Sequence, residues 1–208
     1  MKQKIFLHVG CGRLTKEYST PEFKKDHWDE TRLDIDDSVK PDIVSSMTDM
    51  SIVKDNSYDA IYSSHNIEHL FAHEVSIALK EMYRVLNDEG YLLITCPDLV
   101  SVCKHVSEGN LLEPLYQSGM GPISAIDIMY GHRDQIAKGN HYMAHKVGFT
   151  AKVLQDVLKD VGFNSSAVVQ HANSFSLWGV AYKNIDLNTK ELVETLNKHV
   201  NFDIQLDN

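Results

Sequence analysis

The chain has 208 residues, 43% hydrophobic and 24% charged, the composition of one ordinary globular domain rather than of a disordered, fibrous or repeat protein. Its 20 basic and 29 acidic residues give a formal charge of -9, a field that repels polyanions and argues against nucleic acid or an anionic membrane as partner. The three cysteines match no zinc or redox spacing, no apolar run approaches a membrane span, and the N-terminal apolar stretch is too short for a signal peptide. These features predict free thiols and a soluble, cytoplasmic protein.

Ile5 to Val9 is a short apolar run that breaks at Gly10-Cys11-Gly12, the pattern of a buried strand entering a tight turn. Arg13 to Glu30 is polar, poorly periodic and interrupted by Pro21, so at most a short helix is expected there. Thr31 to Asp36 predicts a second strand ending in carboxylates. Pro41 to Val44 predicts a third, and Tyr58 to Ser63 a fourth after the turn Asp55-Asn56-Ser57.

The clearest helix spans about Glu74 to Leu86, with Val75, Ala78, Leu79, Met82, Val85 and Leu86 on one face. Tyr91 to Thr95 follows as an apolar strand ended by Pro97. Thr150 begins a second strong helix that stops at Gly162. Ala167 to Gln170 and Ser176 to Tyr182 lie too close together for an intervening helix, which predicts an antiparallel hairpin at the sheet edge. Alternating strands and helices predict a doubly wound, mostly parallel α/β sheet covered on both faces. The expected layout is one domain over 1–183, an irregular insertion at about 100–146, and a helical tail over 184–208. In that tail Leu192, Val193, Leu196 and Val200 share a side that could pack on a second copy in a homodimer.

In such a sheet, ligands bind beyond the carboxyl ends of the strands. Gly10 and Gly12 lie at the first strand end, and Asp34 follows 22 residues after Gly12, the distance at which a carboxylate can accept from both hydroxyls of a ribose. If the second strand ends later, Asp36 or Asp37 takes that place. Cys11, in the glycine turn, reads as a small residue that fits there rather than as a nucleophile.

An ordered series of segments carries a family resemblance. It comprises His8-Val9-Gly10-Cys11-Gly12, Leu33-Asp34-Ile35-Asp36, Asp55 to His65, Ile67-Glu68-His69, Glu81 to Leu86, Gly90 and Cys96-Pro97-Asp98-Leu99. Together these resemble the class I S-adenosylmethionine-dependent methyltransferases, and among them the small bacterial group called type 11. His145 to Thr150 and Val161-Gly162-Phe163 are similar to that family's C-terminal half. The resemblance implies a Rossmann-like methyltransferase fold with S-adenosyl-L-methionine as cofactor. It implies that the turn from His8 through Gly10, Cys11 and Gly12 borders the methionine part, that Asp34 holds the ribose and that Ile35 packs on the adenine. Thr48-Asp49-Met50 would meet the adenine amino group, with Asp49 as its acid. Ser63, Ser64 and His65 would line the pocket near the transferable methyl. The sequence departs from the family at His8, where an acid is common, and at Leu14, where a third glycine is common.

His65-Asn66-Ile67-Glu68-His69 is also formally HxxEH, an inverted zinc-protease motif that His73 extends by one turn. No further carboxylate ligand can be placed for it, so the residues are read as a pocket-lining or surface helix start and no metal is expected. His132, His141 and His145 cluster in the insertion. Any of them could take a proton from a methyl acceptor, or could be a solvated loop residue. His65 and His145 are the candidate catalytic groups, and His69, Tyr130, His132, His141 and His145 the candidate acceptor contacts. Tyr116, Met120, Met129, Tyr142 and Met143 make the insertion amphipathic, which suits a small organic acceptor such as a sugar or metabolite. The expected activity is methyl transfer from S-adenosylmethionine to that acceptor by in-line displacement. The alternative is a binding protein that keeps the fold without catalysis.

Overall fold

The computed structural model describes residues 3–202 and 204. The expected 1–183 domain and 184–208 tail therefore have ends, at 1–2, 203 and 205–208, that lie outside the described residues. The elements run β1 (Lys4–Val9), β2 (Trp28–Asp34), β3 (Ile43–Val44), β4 (Tyr58–Ser64), α1 (Ala72–Val85), β5 (Leu86–Pro97), α2 (Leu99–Ser107), β6 (Pro114–Ser118), β7 (Gly121–Ser124), α3 (Ala125–Tyr130), α4 (Arg133–Ala137), α5 (Ala151–Val161), β8 (Ser165–His171), β9 (Ser176–Tyr182) and α6 (Thr189–His199).

The main sheet has seven strands in the order β3-β2-β1-β4-β5-β9-β8, and β6 and β7 form a separate antiparallel pair. The pairs from β3 through β5 are parallel, whereas β9 is antiparallel to both β5 and β8. The doubly wound sheet with an antiparallel edge hairpin is thus as expected. Val9 pairs with both Leu33 and Ser63, so Gly10, Asp34 and Ser64 emerge side by side at one sheet edge. The parallel register alone produces this alignment.

Alternation along the strands divides the core. Leu7, Val9, Leu33, Ile61, Leu92 and Ile94 face the side covered by α1 and α5. Phe6, Trp28, Ala60, Tyr62, Tyr91 and Leu93 face the other side, as a period of two requires. On that second side the chain after β1 forms only a 3-10 turn, Lys16–Tyr18, before β2. Phe23 from this segment fills the gap, stacked on Phe6 at 4.3 Å and edge-on to Trp28 at 5.1 Å. The α6 helix completes the cover. Its Leu192 and Leu196 join the same cluster, so this apolar side is buried in its own chain rather than left open to a twin.

Three local expectations are corrected. The first helix starts two residues early and meets β5 directly, because Leu86 is already extended and buried. The strand β2 begins at Trp28 and ends at Asp34, which leaves Asp36 to cap a 3-10 turn through Ser38 N at 2.9 Å. The insertion is not irregular: it holds three helices and a hairpin around Val102, Ile123, Ala125 and Ile128.

His199, at the end of α6, bonds Thr20 Oγ1 at 2.7 Å and the Tyr91 hydroxyl at 3.0 Å. Burial pushes this imidazole down to about 4, with Glu22 opposing the shift and Lys198 and Lys25 reinforcing it. Because the unfolded value is near 6.5, the unfolded chain binds the extra proton between those values, so stability falls as pH drops from 6.5 to 4. The expected loss from this one group approaches about 3 kcal/mol at pH 4. Urea unfolding between pH 7 and 4.5 should show it, and His199→Gln should flatten the slope. An equal slope in the variant would remove His199 as the cause.

Candidate functional site

At the β1 end, Gly10 (φ +65°) and Gly12 (φ +53°) adopt left-handed backbone that favours glycine. A Cβ on Gly10 would meet the Asn66 amide at 2.2 Å, whereas the space at Gly12 is open to beyond 4 Å. Asn66 holds its position by donating to Val9 O at 3.0 Å and Ser64 O at 2.9 Å. Asp34 accepts from Gly12 N at 2.7 Å and from Asp36 N at 3.0 Å. A carboxylate has about four acceptor positions, so about two remain for a ligand's hydroxyls.

Glu30, Arg32 and Asp34 alternate along β2 and share one face. Arg32 grips the glycine turn through Gly12 O at 2.7 Å and Leu14 O at 3.0 Å. Glu30 accepts from His8 Nδ1 at 2.7 Å and from Lys16 N at 2.7 Å. The acid that His8 displaces from β1 is therefore present one strand away, engaged with that same histidine. Sequence reasoning missed Glu30, Arg32 and Asn66, although the two-residue spacing before Asp34 was the available signal. Burial pushes the Cys11 thiol up to about 11, despite Arg32, so it is protonated at neutral pH and fits the small-residue reading.

The other expected cofactor contacts are more scattered. Ile35 is 52% exposed beside Asp34. Thr48 and Asp49 line a cavity against Lys80, Glu81 and Arg84 of α1, and the Asp49 carboxylate accepts from Ser51 N at 3.1 Å. Met50 is fully buried, and its amide donates to Glu81. The segment follows β3 beside Asp34, whose carbonyl accepts from Ser45 N at 2.9 Å. Ser63 is buried with its hydroxyl unpartnered among the described residues, and Ser64 bonds Thr95 across β4 and β5 at 2.9 Å.

Two cavities open at the ends of β4 and β5. The larger, about 610 Å³, is lined by Tyr18, Tyr62, Ser64, His65, Thr95, Tyr116, His171, Trp178 and Phe202, among others, with no Asp, Glu, Lys or Arg among the described residues. The smaller, about 170 Å³, is lined by His65, Glu68, His69, His132, Met143 and His145, among others. His65, Tyr116 and Ser174 border both. Of the expected acceptor contacts, His69, His132 and His145 reach the small cavity. Tyr130 is 61% exposed and His141 lies on the surface, as do Met120 and Tyr142.

The HxxEH segment does not form a chelating helix face. His65 has φ +54° at the strand end, and only Ile67–His69 makes a 3-10 turn, so His65 and His69 are not stacked one helical turn apart. Instead, Lys146 N donates to Glu68 O at 2.8 Å, pinning His145 of the insertion beside Glu68 and His69. Burial opposes ionisation of Glu68, but His65, His69 and His145 outweigh it and hold the carboxyl below its ordinary value. Burial pushes His145 below its ordinary value, with Glu68 opposing.

The sequence profile of the family described as "Methyltransferase domain" matches residues 7–94, from β1 into β5. Residues 7–94 therefore carry a methyltransferase domain, and the fold around them is one shared with S-adenosylmethionine-dependent methyltransferases. The insertion and the β8–β9 hairpin lie outside the matched residues. No curated protein matches the chain in sequence. Among similar solved structures is a protein of Pyrococcus horikoshii, 13% identical, covering 87% of this chain and 82% of its own, with a TM-score of 0.58. Another is the 1,6-didemethyltoxoflavin N1-methyltransferase of Burkholderia thailandensis with bound S-adenosylhomocysteine, 14% identical, covering 88% and 72%, TM-score 0.54. A third is the methyltransferase domain of citrinin polyketide synthase, 15% identical, TM-score 0.54; the match covers 88% of this chain but only 47% of that one. At these identities the likeness is one of fold. Among the described residues, no helix is long and apolar enough to cross a membrane.

Proposed function

We propose that this methyltransferase transfers a methyl group from S-adenosylmethionine to a small, uncharged organic acceptor held in the larger cavity. The observation that carries the reading is that cavity's lining: aromatic, hydroxyl, amide and imidazole side chains, with no Asp, Glu, Lys or Arg among the described residues. Its volume falls in the range of small-molecule sites. A charged acceptor would be left there without a counter-charge.

The glycine turn fits the cofactor. Open space over Gly12, a left-handed turn and the free acceptor positions of Asp34 suit a ribose and a methionine tail. When bound, the cofactor supplies an electrophilic methyl on a sulfonium. The chain's task is then alignment and exclusion of water, which can supply about 7–11 kcal/mol. Arg32 and Asn66 hold the turn in shape, and His65, next to Asn66 in the chain, lines the cavity. Among the described residues the lining offers no Lys or Arg to a phosphate backbone, which favours a small acceptor over a nucleic acid. Its free cysteines suit a cytoplasmic setting.

Asp34→Ala is expected to weaken S-adenosylhomocysteine by about 10–100-fold, the worth of hydrogen bonds to a charged acceptor. Calorimetry of wild type, Asp34→Ala and Asp34→Asn checks this. Equal affinity in all three would refute the ribose assignment. Methyl transfer itself is tested with labelled S-adenosylmethionine against neutral and anionic acceptor panels, and transfer confined to anionic acceptors would reject the cavity assignment. The prior engagement of Asp34 and Glu30 by backbone amides and His8 favours a second reading, a binding protein. It would be recognised by S-adenosylhomocysteine binding without transfer.

A further inference from the structure

The small cavity contains polar groups that the methyl-transfer reading does not use. Glu68 is 1% exposed, and neither of its carboxylate oxygens has a hydrogen-bond partner among the described residues. His65 Nδ1 is 3.4 Å from Oε1. A buried carboxylate with only imidazoles beside it keeps acceptor positions that a cation could fill.

The neighbours are arranged to supply one. Ligand atoms of Glu68, His69 and His145 all lie within 4.8 Å of one another. His69 Nδ1 bonds Ala144 O at 3.1 Å, and His145 Nδ1 bonds Ile128 O at 2.7 Å. A carbonyl only accepts, so each ring must carry its proton on Nδ1. In a neutral ring that leaves the Nε2 lone pair free, and this carbonyl-anchored tautomer is the arrangement that orients metal-binding imidazoles. In addition, both ring nitrogens of His132, in the same cavity, are sequestered and unpartnered among the described residues.

We propose that Glu68, His69 and His145 bind one divalent first-row transition-metal ion, with His132 available as a fourth ligand. Two imidazoles and a carboxylate suit Zn²⁺, Fe²⁺ or Co²⁺ better than Mg²⁺ or Ca²⁺, which prefer all-oxygen shells. Bonds of about 2.0–2.2 Å require the ligand atoms to draw in by roughly 1 Å, a movement within the reach of side-chain rotation. The ion would sit one wall away from the larger cavity, across His65, Tyr116 and Ser174. A role in orienting an acceptor oxygen rests on the methyl-transfer reading; metal binding itself does not.

The test uses full-length protein stripped with a chelator, then titrated with Zn²⁺ by calorimetry and with Co²⁺ by visible absorption. The expected result is one tight ion per chain and the intense d–d bands of four- or five-coordinate Co²⁺. Because a lost supporting contact alone costs 10–100-fold in metal affinity, Glu68→Gln and His145→Ala should each weaken binding by about 100-fold or more. Anomalous diffraction from Zn²⁺-soaked crystals of the wild type gives a readout independent of the variants' folding. An ion found elsewhere, a six-coordinate aqua-like Co²⁺ spectrum, or equal affinity in the folded variants would overturn the proposal. S-adenosylhomocysteine titration of the stripped protein is a separate arm, so loss of the cofactor reading would leave the metal result standing.

Discussion

Gly10→Ala is expected to lose about 2–5 kcal/mol of stability and to weaken S-adenosylhomocysteine at least tenfold. Two terms add. A non-glycine residue at φ +65° costs about 1–2 kcal/mol. Its Cβ would also overlap the Asn66 amide, 2.2 Å away, and Asn66 could yield only by giving up its bonds to Val9 O and Ser64 O, each worth about 0.5–1.5 kcal/mol. The displaced amide lies between the ends of β1 and β4, so the turn that receives the cofactor changes shape with it. Asn66→Ala removes the overlap, and the double variant should therefore be less damaged than the sum of the singles, by about 0.5–3 kcal/mol. Urea unfolding and calorimetry on all four proteins form the cycle. Strict additivity would show that Gly10 and Asn66 do not meet.

Phe23→Ala should be as damaging, although Phe23 itself lies behind the cavity wall, packed on its lining residues Tyr62 and His199. Phe23 is fully buried, stacked at 4.3 Å on Phe6, edge-on to Trp28 and 4.6 Å from the His199 ring. It is the side chain that lets a segment without a full helix cover its half of the sheet. Removing a buried phenyl ring costs about 3–5 kcal/mol, or roughly 6–20 °C in melting temperature for a chain of this size. Because α6 leans on the same ring, its amides should exchange with deuterium faster in the variant. A loss below about 1 kcal/mol would mean that α6 and the sheet close the gap without it.

The elements that sequence reading recovered best were those whose pattern is complete within a few residues. The apolar strands β1, β4 and β5, the one-sided helices α1 and α5, and the glycine turn with its Asp34 partner are all local signals of period two or 3.6. Where neighbours decide, the reading was poorer. The insertion looked irregular because its helices are short and its small core comes from four separated positions, Val102, Ile123, Ala125 and Ile128. The placing of Asp49 against α1 was not legible either, because Glu81 and Arg84 hold the loop after β3 through Met50 N at 2.8 Å and Met50 O at 2.8 Å. HxxEH implied a helix face, whereas the strand end gives His65 a left-handed backbone and turns that face apart.

By itself, then, the sequence determined a doubly wound sheet, its antiparallel edge, the glycine turn and the carboxylate that answers it, since each follows from local periodicity and short spacing. Only the tertiary structure decided that Glu30 takes up His8, that Asn66 closes on Gly10, and that His145 joins Glu68 and His69 across 77 residues (145 minus 68). Those meetings depend on strand register and on backbone bonds from Lys146 and Val147 to Glu68. Contacts of that kind leave no periodic trace in the chain, because the partners are set by packing at a distance rather than by neighbours in sequence.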